Sequence, residues 1–386
     1  MSFTLPHQAR CIVPQLAEQD RPRFFAGTTS VFGGVAADNE LRLLDYDEEE
    51  NEISSQTFSH PNQVRFIAPS PDKSDFVFTC HHNHTANPNP RASLWLLSAL
   101  ATDEDNQKLA NQAGTLSELL CIESCEQVKG INKIFWEPSG GKSRVIATGT
   151  TSVGVYGIDR GLSKGTLGSV YSLSSITGLT SPADYIDCAK WNPHNPEEFT
   201  IGAESTLIGL DTRTPATTTT FIIPYAHDQC IRDLDYNPNK PYHLATGGND
   251  GKVRIWDSRN HSKPLKELND HSHWVWSVNY NRFHDQLLLS SSSDCLVNLQ
   301  NVVSVSSTPY GLIRSMDEEL DVVREEGLME EIKTTDELIA TYKEFEDSVY
   351  SVCWSSADPW VFASLSFDGR VYINVVPKDV KYSIIL

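Results

Sequence analysis

The side chains best suited to chemistry in this 386-residue chain form one short constellation: His227, Thr246, Asp250 and Trp256. A histidine with a carboxylate partner and a nearby hydroxyl is the residue set of general-base or nucleophilic catalysis. Catalysis needs a unique set, and this one is repeated. His271, Ser290 and Asp294 return at the same spacing, with Gln300 in place of the tryptophan, and in a last copy Phe345 and Asn374 replace the His and the Trp. Recurrence points to a structural hydrogen-bonding tetrad instead. The one dense histidine group, His81, His82 and His84, sits in an Asn- and Pro-rich run that offers no fixed metal geometry, so no metal and no cofactor are expected. Cys121 and Cys125 form a C-x3-C pair without a matching second pair. P-loop, H-E-x-x-H and dinucleotide fingerprints are absent, and the chain reads as non-enzymatic, with no small-molecule substrate.

The elements that carry the tetrad explain its repetition. After His227 come Ile231–Tyr236, Leu244–Gly248 and Val253–Asp257, separated by Asn237-Pro238 and by Asn249-Asp250-Gly251. Period-2 alternation, β-branched content and these turn residues spell successive antiparallel strands. Lys263–Leu268 fits a polar, proline-marked outer edge. The unit recurs from Val275 and from Val349, and upstream around Trp191, Trp136, Val64–Pro69 and, most degenerately, Phe24–Gly27 with Leu41–Asp45. Trp191, Tyr236 and Tyr280 lie about 45 residues apart, the period of WD repeats. No single unit buries its apolar face alone, so seven must stack around an axis. The expected fold is all-β: one seven-bladed WD40 β-propeller over residues 1–386, four antiparallel strands per blade.

Two stretches interrupt the rhythm. Residues 81–91 read as a long loop within the second blade, continued by a polar connector at 98–115; together they are an insert at about 81–115. A second insert, 306–343, carries the acidic runs Asp317–Asp321 and Glu325-Glu326, and is expected to be part helix and part disordered. The alternating, apolar Lys381–Leu386 is expected to close the last blade as its outer strand, since an uncovered edge of this kind invites aggregation.

Composition narrows the partners. With 31 basic against 51 acidic residues the net charge is −20, which argues against nucleic acid and against adhesion to anionic lipid. Neither a signal peptide nor a membrane-spanning apolar run is visible, and eight scattered cysteines suit reduced thiols in a cytosolic protein without membrane insertion. Protein partners remain. In such a propeller, the residues on either side of each inner strand's first apolar anchor face the channel rim. They are Arg65, Tyr185, Asp187, Arg232, Trp274, Trp276, Ser348 and Tyr350. Trp, Tyr and Arg dominate interface hot spots, and Trp274 and Trp276 leave Val275 on the same side. Packing between blades is the competing reading for both indoles.

The strings His271–Trp276, Asn237–Lys240, His284–Leu289, Glu346–Tyr350 and Trp354–Trp360 closely resemble the EARP and GARP complex-interacting protein family, densely from about residue 225 onward and more thinly before it. The resemblance implies a cytoplasmic adaptor for the endosome-associated recycling protein (EARP) and Golgi-associated retrograde protein (GARP) tethering complexes, recruited to the trans-Golgi network and endosomes. It further implies a role in endosomal recycling, retrograde transport and dense-core vesicle formation. Both inserts depart from the family pattern, so nothing is carried over to them. A rival reading comes from Leu244–Arg259, which resembles the WD-x-R box of substrate receptors of cullin-RING ubiquitin ligases. Asp257 and Arg259 would then be the ligase-adaptor contact, with Asp211-Thr212-Arg213 a weaker copy.

Overall fold

Alternation of buried and half-buried residues along each strand commits one face to a neighbouring sheet, and the computed structural model shows how that demand is met. It describes residues 1–30, 39–82, 90–98, 113–138, 143–179, 183–307 and 336–385. Seven antiparallel sheets of four strands form the blades of a β-propeller; the first also gains a short parallel strand, Ala113–Gly114, beside its outer edge. The inner strands are Ala9–Pro14, Gln63–Pro69, Lys133–Trp136, Ile186–Trp191, Ile231–Tyr236, Val275–Tyr280 and Val349–Trp354, for blades 1 to 7 in order. The core lies between blades. Leu287, Leu289, Val297 and Leu299 of blade 6, for example, pack with Val349, Val352, Trp354 and Phe362 of blade 7.

Polar staples supplement this apolar packing. Three inner-strand tryptophans donate their indole N–H to a carbonyl of the preceding inner strand: Trp136 to Ala68 at 3.1 Å, Trp191 to Phe135 at 3.2 Å and Trp354 to Asn279 at 3.1 Å. Between blades 5 and 6 carboxylates take over. Asp233 accepts from the Ser277 hydroxyl (2.9 Å) and the Val278 amide (3.1 Å), and Asp235 from the Asn279 side chain and the Tyr280 amide, both at 2.9 Å. Such bonds satisfy buried polar groups and fix each blade's height against the next.

Ring closure differs from the expectation. The outer strand of blade 7 is Ser2–Thr4, paired with Arg370–Val375, and the terminal amine of Met1 donates to the Ile373 carbonyl at 2.9 Å. Lys381–Leu386 does not supply that strand: Lys378–Ile385 is a helix that lays Val380 and Ile384 against the blade 6–7 core. Pro377, just before the helix, suits a helix start, and Asp379 in the first turn complements its dipole. With the edge already occupied, the terminal segment has no ladder to join.

The inserts are also narrower than expected. His81 and His82 end the strand Phe76–His82, and Arg91 opens Arg91–Leu97. Leu116–Glu123 and Glu337–Tyr342 are the outer strands of blades 2 and 6. The intervening 83–89, 99–112 and 308–335, including His84 and the acidic runs, lie outside the described residues.

Candidate partner-docking site

The tetrad assembles in blade 5. His227 bridges Asp250 through Nδ1 (2.8 Å) and the Thr246 hydroxyl through Nε2 (2.8 Å), while the Trp256 indole donates to the same hydroxyl at 3.1 Å. His227 and Thr246 are fully buried and Trp256 nearly so. Burial works to raise the Asp250 pKa, but the hydrogen bond and charge of His227 overcome it and hold the group at about 2. Gly248 leaves room for the imidazole, since a Cβ there would come within 2.3 Å of His227 Nδ1. In blade 6, His271 meets Asp294 at 3.0 Å and Ser290 at 2.9 Å, and Gln300 turns away to donate to Asp270. Phe345 sits buried against Tyr372 in blade 7. These groups lock strands together, and none of the three histidine positions offers a free base.

Blade 2 contains a variant not read from the sequence. His60 Nε2 lies 3.0 Å from the Thr79 hydroxyl, to which the Trp95 indole donates at 2.8 Å, so three of the four roles are filled. His81 lies alongside, bonded to Asn62 (3.1 Å) and Ser93 (2.9 Å). The His-x18-Thr spacing could have revealed His60. The neighbouring His81 and His82 masked it by suggesting a loop.

At the end of the channel where the inner strands begin, the chain repeats a second device. Six of the seven inner strands carry a register shift at the residue after the first buried anchor: Arg10, Arg65, Asp187, Arg232, Trp276 and Tyr350. A bulge inserts one unpaired residue and re-aims its side chain. Here the six side chains form a continuous arc around the channel mouth. Asp187 accepts from Arg232 at 3.0 Å; burial raises the Asp187 pKa, and Arg232 partly offsets that. Arg232 also donates to Asn249 at 2.7 Å and lies over the rings of Trp276 (5.1 Å) and Trp274 (5.5 Å). Trp276 stacks on Tyr350 with centroids 4.6 Å apart, and Arg10 covers the Tyr350 and Phe367 rings at 5.4 and 5.2 Å. The inner strands that carry Arg10 and Arg65 pack against each other, and desolvation first and the charge of Arg10 second lower the Arg65 pKa.

The remaining rim candidates attach to this arc. Trp274 meets Trp276 edge-on at 5.8 Å and is 38% exposed. The Ser293 hydroxyl links the Trp276 indole (2.6 Å) to Ser348 (3.2 Å). Tyr185 pairs with the Cys230 thiol, directly before the blade 5 anchor. Thus all eight rim residues lie around one mouth, and neither indole is sealed between blades. Arg10, Phe367, Asn249 and Ser293 complete the site but were missed. Ala9-Arg10-Cys11-Ile12 has the same anchor pattern and is the signal for Arg10; Phe24–Gly27, where the sequence pattern of this repeat is most visible, lies on its second strand.

Asp257 and Arg259 lie near the opposite end. Arg259 closes a bidentate pair on Asp257 (2.9 and 2.7 Å) and covers the Tyr242 ring at 4.2 Å, and Arg213 repeats this on Asp211 in blade 4.

Seven four-stranded blades with recurrent His–Ser/Thr–Asp tetrads define a WD-repeat β-propeller, and residues 336–373 match the WD domain, G-beta repeat. Residues 1–300 match the EIPR1 beta-propeller, and the chain belongs to that family. It is 38% identical over 391 residues to EARP and GARP complex-interacting protein 1 of Rattus norvegicus and 39% identical over 395 residues to that of Homo sapiens. It is 38% identical over 392 residues to the EARP-interacting protein homolog of Gekko japonicus. Each alignment covers 100% of this chain and 98% of the relative.

Proposed function

We propose that the protein is a non-catalytic adaptor that binds the EARP and GARP tethering complexes through the channel mouth, supporting endosomal recycling, retrograde transport to the trans-Golgi network and dense-core vesicle formation. It would act in the cytoplasm and be recruited to trans-Golgi and endosomal membranes by these complexes. No helix among the described residues is long and apolar enough to cross a membrane. The observation that carries the reading is the end-to-end relationship to proteins named for interaction with these complexes. The site supports it: an arc rich in Trp, Tyr and Arg, held by stacking and ion pairs, presents rigid anchors at small entropic cost. Affinity purification of the tagged chain with quantitative mass spectrometry tests the reading. Tethering subunits should lead the enriched proteins, and their absence would refute it.

A second reading, substrate receptor of a cullin-RING ubiquitin ligase, is favoured by one observation. Arg213 and Arg259, at equivalent places in adjacent blades, expose more than half of their side chains (62% and 60%) while their own aspartates hold them in shape. Under this reading Arg259→Ala abolishes copurification of a ligase adaptor and leaves tethering subunits attached; unchanged ligase-adaptor recovery eliminates it.

A further inference from the structure

The arc at the channel mouth contains three arginines, and they are not used alike. Arg232 is committed to Asp187 and Asn249 and lies against the rings of the two tryptophans. Arg10 and Arg65, next to each other on blades 1 and 2, are exposed and pair with no carboxylate among the described residues. In a chain with 51 acidic and 31 basic side chains, two adjacent guanidinium groups left unpaired run against the general charge balance. A bound anion would relieve their mutual repulsion. Arg10 is moreover held in place: its guanidinium carbon lies 5.4 and 5.2 Å from the ring centroids of Tyr350 and Phe367, contacts that leave its N–H donors uncommitted to any carboxylate among the described residues. The guanidinium fork matches a carboxylate. Across Tyr350, a few ångströms along the arc, stand the indoles of Trp276 and exposed Trp274.

We propose that the mouth recognises a segment of a partner protein in which an Asp or Glu side chain neighbours an apolar one, the carboxylate bound between Arg10 and Arg65 and the apolar group seated on Trp274 and Trp276. The inference deepens the docking reading above and rests on it for the site, not for the partner's name. A carboxylate fits better than a dianion or an anionic bilayer. The receptor charge is only two guanidinium groups, with the Asp187 carboxylate on the same arc, and the −20 surface around them repels multiply charged ligands. The same repulsion makes the site selective, since an acidic segment gains only where its carboxylate reaches this fork.

The test uses the full-length chain against a displayed library of random twelve-residue peptides, followed by fluorescence anisotropy on the selected sequences. Enriched peptides should carry Asp or Glu within a few positions of Leu, Ile or Phe. Arg10→Gln with Arg65→Gln should weaken them by about tenfold or more, with thermal melts confirming an intact fold. Arg10→Lys with Arg65→Lys keeps the charge but loses the fork, and should recover only part of the affinity. Trp274→Ala should remove the apolar preference and retain the acidic one. Selection of basic or neutral peptides, equal binding by the double Gln variant, or preference for phosphopeptides or phosphatidylserine vesicles would overturn the proposal. Failure here with tethering subunits still copurifying sinks the acidic-segment chemistry alone. Acidic peptides bound without tethering subunits would sink the adaptor assignment instead.

Discussion

At the scale of single residues, the molecule separates groups that resemble catalysts from groups that line the channel mouth. His227, Asp250 and Thr246 have the composition of an active site, yet each is spent on the others within one blade. Replacing His227 with Ala leaves the Asp250 carboxylate and the Thr246 hydroxyl without their shared partner, and should cost about 2–4 kcal/mol in urea unfolding. A change within a few tenths would contradict the structural role. Trp354→Phe removes only the indole bond to the Asn279 carbonyl while preserving most of the packing, and a smaller loss of about 1 kcal/mol is expected in the same assay. The rim residues were legible because each sits directly beside a buried anchor, one position before it or one after. What could not be read was their mutual contact: stacking of Trp276 on Tyr350 joins residues from different repeats, and only the ring geometry brings them together.

At the scale of elements, the terminal strand and the buried histidines of blade 2 carry the sharpest expectations. Ser2–Thr4 closes the ring, with Leu5 buried just behind it, whereas the C-terminal helix has no fully buried residue. Deleting residues 1–5 should therefore lower the melting temperature more than deleting 378–386. It should also accelerate hydrogen exchange along Arg370–Val375, and the reverse order would contradict this closure. Lys381–Leu386 has the alternation of a strand, but alternation over so short a stretch also fits one helical turn, and the competing N-terminal strand decided the outcome. In blade 2, burial holds His60 neutral and lowers its pKa from 6.5 to about 4; burial, followed by His60 and Arg91, lowers that of His81 to about 3. Between those values and 6.5 the unfolded chain binds more protons than the folded one. Stability should then be complete above about pH 7 and decline as the pH falls toward 4. Urea midpoints at pH 7.5 and 5 check this: His60→Gln should shrink the difference, and an unchanged difference would contradict it.

For the whole molecule, seven similar units close on themselves, and that was legible because the repeat leaves anchors, turns and tetrads at a regular period. The first repeats were least legible: Ala9–Pro14 ends in proline, and blade 2 has Asn83 where the tetrad aspartate would fall. The closed ring gives the mouth its rigidity. Five of the six bulge residues, Asp187, Arg232, Trp276, Tyr350 and Arg10, are fixed by their own strand and by a contact to an adjacent blade, so the aromatic arc exists only when those blades are seated. The central claim is that this arc, not the opposite end with Tyr242 and Arg259, engages the tethering complexes. The most direct measurement compares the full-length wild type, Trp274→Ala with Trp276→Ala, and Tyr242→Ala with Arg259→Ala by affinity purification and quantitative mass spectrometry. The account predicts that the tryptophan variant loses about tenfold or more of the tethering subunits, as expected for removal of two hot-spot anchors, while the opposite-end variant retains them. Retention by the tryptophan variant and loss by the other would contradict it.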